Sequence, residues 1–429
     1  MLTQTEVQVK ASTQALNYQP NPGDGPAGGV VVGGDYLGLG IARSLGRNRV
    51  PVCIIDDEDS MAPFSRYATK AVKVPDLRDE RKAVAAVLEI GKKFNLRGWV
   101  LYPTRDELVA AFSRYREELT PFFRVPVPEM ETVQWAWDKR NTYRLADELG
   151  IPTPRTWYPR NLRDLDGIHG EPPFAVKPAI KEHFFYDMGA KAWRANSREE
   201  LRQLYQRAAA QVETGEVMIQ NFIPGDGAQQ YAYCAFFKEG RAVAKMVVRR
   251  RRQHPREFGK ASTYVETIDL PVLEELSERF LRRINYYGLV ELEYKVDPRD
   301  GQYKLLDVNG RAWGYHSLGV AAGVDFPHLM FSDQMGETVP PRRGRVGVRW
   351  IRLITDLPTA AMGMVKGQQP VWPYLKSLWG INTESVLCWD DPLPGLLEFG
   401  LMPYSHLKRA LAKRSASAVP SAAPIPEKG

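Results

Sequence analysis

The chain has 429 residues, with 58 Lys and Arg against 51 Asp and Glu and a formal net charge of +7, and that length predicts two or three packed domains. No apolar run is long enough to cross a bilayer, and no basic segment followed by an apolar run opens the chain, so neither a transmembrane span nor a secretory leader is expected. The positive surplus gathers at Arg249 to Arg252, Arg342 to Arg352 and Lys408 to Lys428; without a helix-turn-helix, zinc-finger or RNP pattern, it predicts a phosphate-bearing small molecule and no nucleic acid.

Residues 1–28 are polar and then Pro/Gly-rich, which reads as a flexible leader. From Gly29 the pattern becomes strand, glycine turn, helix, strand. Val30 to Val32 predicts a buried parallel strand, Gly33 to Gly40 the turn and helix start, and Val52 to Ile55 the next strand, closed by Asp56 and Asp57. This is an open α/β unit of mononucleotide-binding type, expected over 29–134. The third glycine of a dinucleotide fingerprint is due where Arg43 stands, so that motif is incomplete. A further strand, Gly98 to Tyr102, leads to Asp106 and Glu107. Ligands bind beyond the carboxyl ends of such strands, which makes both acids substrate-pocket candidates; the plainer alternative is a helix capped by Thr104 with acids in its first turn.

Trp135 to Thr153 predicts one capped helix ended by Gly150 and Pro152. Phe174 to Pro178 is an apolar strand ending in Lys177, and Val217 to Ile223 is another, closed by a turn through Gly225 and Asp226. The loop 181–191 lies between them. Tyr231 to Phe237 and Ala242 to Arg249, joined by Lys238-Glu239-Gly240, form a hairpin signal.

Two more strands, Val290 to Tyr294 and Tyr303 to Asn309, flank the turn Asp297 to Gly301. Strand residues two apart face the same side, so Asp307 and Asn309 point together and Glu293 can lie beside them. That oxygen set suits Mg²⁺, and Arg311 adds a bidentate hold on an anion. The alternative is a hairpin with a solvated polar face. Past Pro340 the sequence is aromatic and basic, with Trp350, Trp372, Tyr374, Trp379 and Trp389. Packing of this 341–414 extension on the core is expected; a lid over a substrate site, a dimer contact, or a membrane-surface foot through Lys376, Trp379, Lys408 and Arg409 are the alternatives. Residues 415–429 are Ala/Ser/Pro-rich and predicted disordered. The three cysteines, Cys53, Cys234 and Cys388, sit among apolar neighbours and predict buried thiols in a reducing compartment, the cytoplasm. They and the six histidines show no zinc spacing.

No Walker A loop or kinase catalytic loop is present, so bound phosphates would be held by side chains. In this order the pieces, over roughly Gly29 to Thr338, resemble the ATP-grasp superfamily and within it the carboxylate-amine ligase group. The resemblance implies an α/β chain, α+β in its ATP-binding part: an N-terminal open parallel-sheet domain of pre-ATP-grasp type, then a two-lobed ATP-grasp fold over 135–340. It implies an ADP-forming joining of a carboxylate to an amine through an acyl phosphate, dependent on ATP and Mg²⁺, with Mn²⁺ as an alternative ion. Carried over by position, Lys139 and Lys177 match the phosphate lysines, while Gln220, Asn221, Phe222 and Ile223 match the adenine hinge. Asp226 or Gln229 falls near the ribose, Arg250 and Arg252 match a basic pair reaching phosphate or the acyl group, and Arg311 matches the residue at the transferred group. Glu293, Asp307 and Asn309 match the metal ligands. Gln220 stands where the hinge usually has Glu, and Asp307 where the second metal carboxylate usually is Glu. The partners implied are a small-molecule carboxylate and an amine; a homodimer is left open. A non-catalytic ATP-binding regulator and an NAD(P)-dependent oxidoreductase are the alternatives.

Overall fold

The computed structural model describes residue 18 and residues 25–180, 192–213, 215–225, 227–255, 259 and 261–400. Most of the expected leader, the whole 415–429 tail, the loop 181–191 and the candidate Asp226 lie outside the described residues. Strands β1 (Gly29–Val32), β2 (Val52–Asp56), β3 (Ala68–Lys73) and β4 (Val100–Pro103) form a parallel sheet in the order β3-β2-β1-β4. Val30 to Val32 are fully buried, as a central parallel strand requires when helices cover both of its faces.

A small antiparallel sheet follows, β5 (Thr156–Trp157), β6 (Phe174–Pro178), β7 (Trp193–Ala195) and β8 (Val217–Asn221), in the order β5-β8-β6-β7. The third sheet is larger. It joins β9 (Gln230–Lys238), β10 (Arg241–His254), β11 (Ala261–Ile268), β12 (Gly288–Val296), β13 (Tyr303–Asn309), β14 (Arg342–Arg343), β15 (Arg349–Ile351) and β16 (Thr383–Glu384). Their order is β13-β12-β9-β10-β11-β15-β16, with β14 beside β10. The β9–β10 hairpin turns on Glu239 (φ 53°) and Gly240 (φ 73°), the two left-handed residues that let a short turn follow the twist of its strands.

Two expectations change. The single helix over Trp135 to Thr153 is two, Met130–Trp137 and Lys139–Glu148. Asp138 is extended (φ −97°, ψ 111°) and its carboxylate caps the second helix at Arg140 N, an N-cap role that interrupts the apolar period. The chain past Pro340 supplies β14, β15 and β16 to the large sheet, and Trp350 is fully buried there. Its other tryptophans do not pack inward: Trp372, Trp379 and Trp389 are 75%, 85% and 99% exposed.

The end of this extension is tied to the first domain by ions. Asp391 is buried and accepts from Arg43 Nε (2.9 Å), Ser65 Oγ (2.7 Å) and the Arg66 amide (2.9 Å), while Arg43 also donates to the Asp391 carbonyl (2.8 Å). Removing one member of a buried, hydrogen-bonded pair strands the other charge, at a cost of about 3–5 kcal/mol. Asp391→Ala is therefore expected to lower the urea midpoint by a corresponding amount, and Asp391→Asn by less. An unchanged midpoint in Asp391→Ala would show that the contact adds nothing to stability.

Candidate active site

The polar centre of the molecule is one face of the β12–β13 hairpin. In its register Glu291 stands opposite Asn309 and Glu293 opposite Asp307, so all four side chains leave the same side. Asn309 Nδ2 donates to Glu291 Oε2 and to Glu293 Oε1, both at 3.0 Å. Tyr315 donates to the other oxygen of Glu291, and Arg250 Nη2 holds Glu293 Oε2 at 3.0 Å. Burial first, and the charge of Glu293 second, push the Glu291 carboxyl up to about 7, because two like charges in a dry site cannot both ionise freely. Sequence reasoning passed over Glu291, although it stands two residues before Glu293 and so shares its face. Asp307 instead turns one oxygen to Lys139 Nζ at 2.7 Å.

Next to this face lies the cleft between the small and large sheets. A cavity of 120 Å³ is lined by Lys177, Gln220, Asn221, Phe222, Ile223 and Lys295 among others. Gln220 is buried and donates to Thr156 Oγ1 (2.8 Å), and the Asn221 amide donates to the Arg155 carbonyl (2.9 Å). Lys295, which the sequence did not single out, donates to the carbonyls of Ile223 (2.9 Å) and Gly225 (2.7 Å) and so fixes the hinge. Lys177 donates to the Tyr143 hydroxyl at 2.8 Å, and Tyr143 to the Leu306 carbonyl at 2.9 Å. Packed round by protein atoms, the Lys177 ammonium is pushed down to about 7 by desolvation and then by the charge of Lys139. Gln229 ends a short 3₁₀ turn with its amide oxygen buried and, among the described residues, without a hydrogen bond, and it is not among the residues that line this cavity.

The first domain closes the opposite side. A cavity of 170 Å³ is lined by Asp35, Tyr36, Thr104, Arg250, Ser262, Glu291, Glu293, Asn309, Arg311 and Tyr315 among others. Arg311 is held by both oxygens of Asp106, at 2.7 and 2.9 Å, so Asp106 faces an arginine two residues past the end of β13. Glu107 is buried in the first turn of the same helix, Asp106–Arg114. Thr104 does not cap that helix; its hydroxyl donates to the Val32 carbonyl at 2.8 Å. The glycine turn after β1 offers no seat for a dinucleotide. Asp35 caps the helix Tyr36–Arg47 by accepting from Leu37 N (3.0 Å) and Gly38 N (3.3 Å), and that carboxylate stands where a pyrophosphate would need amide donors.

Arg250 and Arg252 do not act as a pair. A register shift between Arg250↔Val265 and Arg252↔Tyr264 leaves Arg251 as an extra residue, a bulge that re-aims the side chains after it. Arg250 turns to Glu293, whereas Arg252 is held by Asp356 (2.9 and 2.8 Å) and Ser377 (2.8 Å).

Among the described residues no three His, Cys, Asp or Glu side chains are gathered as a ready metal cage. The donor set nonetheless fits Mg²⁺, which needs only one or two protein carboxylates and takes its remaining oxygens from phosphates and water. Glu293, Asn309 and Asp307 carry hard oxygen donors on one face; Glu293 accepts from the Asn309 amide and the Arg250 guanidinium, and Asp307 from the Lys139 ammonium.

No protein-family model matches the chain. Its sequence is similar to the D-aspartate ligase of Enterococcus faecium (strain Aus0004), 25% identical over 299 residues, which span 66% of this chain and 70% of that protein. Its fold is similar to the biotin carboxylase domain of 2-oxoglutarate carboxylase from Hydrogenobacter thermophilus, solved with MgADP (TM-score 0.59, 15% identity, 75% of this chain and 73% of that one). It is also similar to the L-amino acid ligase of Bacillus licheniformis (TM-score 0.55, 16% identity, 73% and 77%). A third likeness is to the N5-carboxyaminoimidazole synthetase of Staphylococcus aureus (TM-score 0.56, 15% identity, 74% and 80%).

The depressed Lys177 pKa has a measurable sign. The unfolded lysine keeps its proton to about 10.5 and the folded one only to about 7, so its cost to stability is fully present below 7 and is relieved as pH rises toward 10.5. Lys177→Met is expected to melt a few degrees above wild type near pH 7, with the gap narrowing by pH 9.5. A gap independent of pH would show that Lys177 titrates normally.

Proposed function

We propose that this chain, which has the ATP-grasp fold, is an ADP-forming carbon–nitrogen ligase. A carboxylate oxygen of the donor attacks the γ-phosphorus of ATP, giving an acyl phosphate and ADP. An amine then attacks the acyl carbon and expels inorganic phosphate, leaving an amide. The observation that carries this reading is the acid-acid-amide face of Glu293, Asp307 and Asn309 standing beside a hinge-lined cavity that contains Lys177.

Phosphoryl transfer depends on positioning and charge neutralisation more than on a protein nucleophile. In this reading Lys139 and Lys177 hold the polyphosphate, and the hinge from Gln220 to Ile223 takes the base. Lys139 exchanges Asp307 for phosphate when the nucleotide enters. Glu293, Asp307 and Asn309 would hold Mg²⁺, which when bound neutralises the γ-phosphate and leaving-group charge. Arg250 and Arg311, both lining the 170 Å³ cavity beside Glu293, receive the donor carboxylate. Asp106 then serves to aim Arg311 rather than to meet the amine. The likeness to a D-aspartate ligase supports a small acidic amino acid as donor. Three free thiols, Cys53 and Cys234 buried and Cys388 partly so, support a reducing compartment, the cytoplasm.

Glu293→Gln keeps the shape of the side chain and removes its charge. It is expected to lower ATP-, Mg²⁺- and carboxylate-dependent phosphate release at least about 100-fold while melting within a few degrees of wild type, and chelation of Mg²⁺ should stop wild-type release. Normal turnover by a well-folded Glu293→Gln would refute the metal assignment; nucleotide binding with no release from any carboxylate and amine pool would favour a regulator.

No helix among the described residues is long and apolar enough to cross a membrane. The exposed Trp372, Trp379 and Trp389, with Lys366 and Lys376 in the same stretch and five Lys and Arg against one Glu after Gly400, support a peripheral contact with an anionic membrane surface. Co-sedimentation with phosphatidylglycerol vesicles, reduced in Trp372→Ser/Trp379→Ser, is the expected result, and equal recovery with phosphatidylcholine or in the variant would oppose it.

A further inference from the structure

The bulge that separates Arg250 from Arg252 opens a second polar space on the molecule. A cavity of 600 Å³ lies between the ends of β10 and β11, the strand β15 and the helices Leu353–Val365 and Val371–Leu378. Among the described residues four cationic side chains line it, Arg251, Arg252, Arg349 and Lys376, and one acid, Glu266. Glu266 serves two guanidinium groups at once, Arg251 (2.5 Å) and Arg349 (3.2 Å). Burial alone would raise its pKa, but these two partners hold it below the ordinary carboxylate range, so it stays charged yet balances one arginine of the two. Arg252 is neutralised by Asp356 and fixed between the rings of Tyr264 (4.3 Å) and Tyr374 (4.9 Å). With Lys376 exposed on the rim, four cations face two acids among the described residues, a positive balance.

Its position is as informative as its charge. Gln253 lines both this cavity and the 120 Å³ hinge cavity, and Arg250, three residues earlier, reaches both Glu293 and Gln253. The wall of the cavity is thus the strand segment that also holds Glu293 through Arg250. The 170 Å³ space beside Glu293 suits a small donor acid, and it leaves little room for a second substrate of any size.

We infer that the 600 Å³ cavity binds an anionic group, a carboxylate or a phosphate, of the amine-bearing acceptor, with Arg251, Arg349 and Lys376 as its cationic lining. This rests on the ligase reading and extends it to the class of the second substrate: an amine that carries negative charge away from its reacting nitrogen. Arg252 is a positioning residue here, since its guanidinium is committed to Asp356. Anion recognition by forked guanidinium groups with an exposed ammonium at the rim is consistent with either oxyanion.

The test has two arms on the full chain. In the first, glutarate and glycerol phosphate are titrated calorimetrically with the nucleotide cavity saturated by Mg·ADP. At least one is expected to bind, at least tenfold more weakly in Lys376→Ala and in Arg349→Ala, and the tighter of the two identifies carboxylate or phosphate as the preferred group. In the second, ADP release is measured with amine acceptors offered in pairs that differ by a free carboxylate or its amide, and by a phosphate or its parent alcohol. The anionic member should show at least a tenfold lower KM, that preference should collapse in Lys376→Ala, and the KM for ATP should not follow it. Failure of both probes to bind, binding indifferent to both variants, or ligation with no preference for the anionic acceptor would overturn the inference. Absence of ADP release from every pair, with probe binding intact and variant-sensitive, would instead sink the ligase reading and the acceptor assignment together, leaving an anion site.

Discussion

Two carboxylates on the same face of one strand, Glu291 and Glu293, sit in a cleft too dry to leave like charges uncompensated, and the arrangement around them follows from that constraint. Asn309 bridges them from the neighbouring strand, Tyr315 donates to the first and Arg250 to the second. Each compensating group comes from a different part of the chain. The hairpin register supplies Asn309, the loop after β13 supplies Tyr315, and β10 supplies Arg250 across two intervening strand ladders. A one-residue slip of β13 against β12 would turn Asp307 and Asn309 away from Glu291 and Glu293, so the hairpin register and the chemistry are specified together.

The same cleft stores unfavourable electrostatics that a nucleotide would relieve. Lys139 and Lys177 are brought close in a low-dielectric site, with one acid, Asp307, bonded to the first. On the proposed reading, a polyphosphate entering here would meet two cations, remove their repulsion and free Asp307 for a metal. Electrostatic destabilisation of the cleft would then be converted into affinity, a reason for a protein to keep a lysine that costs it stability. Lys295 and the Tyr143 hydroxyl have the opposite effect, because they fix the hinge carbonyls and the Lys177 ammonium in place before anything binds.

Legibility in the sequence follows how local each determinant is. Val30 to Val32, the Lys238-Glu239-Gly240 turn and the 290–309 hairpin can be read because periodicity and turn chemistry act over a few residues. The alternation that pairs Asp307 with Asn309 is equally local, and the same rule applied to Glu291 finds it. What stays hidden depends on distant partners. The bulge at Arg251 breaks the two-residue period that makes Arg250 and Arg252 look alike. Asp106 reads as a substrate-pocket acid from its place past a strand end, and its pairing with Arg311, 205 residues away, is visible only in the fold. Lys295 points at the carbonyls of Ile223 and Gly225, which no spacing in its own strand announces. Asp138 reads as part of a helix because its neighbours keep the apolar period; only its extended backbone reveals the cap.

The last strands and helices complete the large sheet, pin themselves to the first domain through Asp391 and Arg43, and build the positive cavity against the bulged strand. The acyl phosphate is the step on which every proposed role of these residues depends, and oxygen tracing tests it most directly. With a donor acid carrying ¹⁸O in its reacting carboxyl group, the released inorganic phosphate should contain one ¹⁸O for each amide formed, since the oxygen that attacks the γ-phosphorus leaves with it. Amide formation with no ¹⁸O in the phosphate would contradict the mechanism.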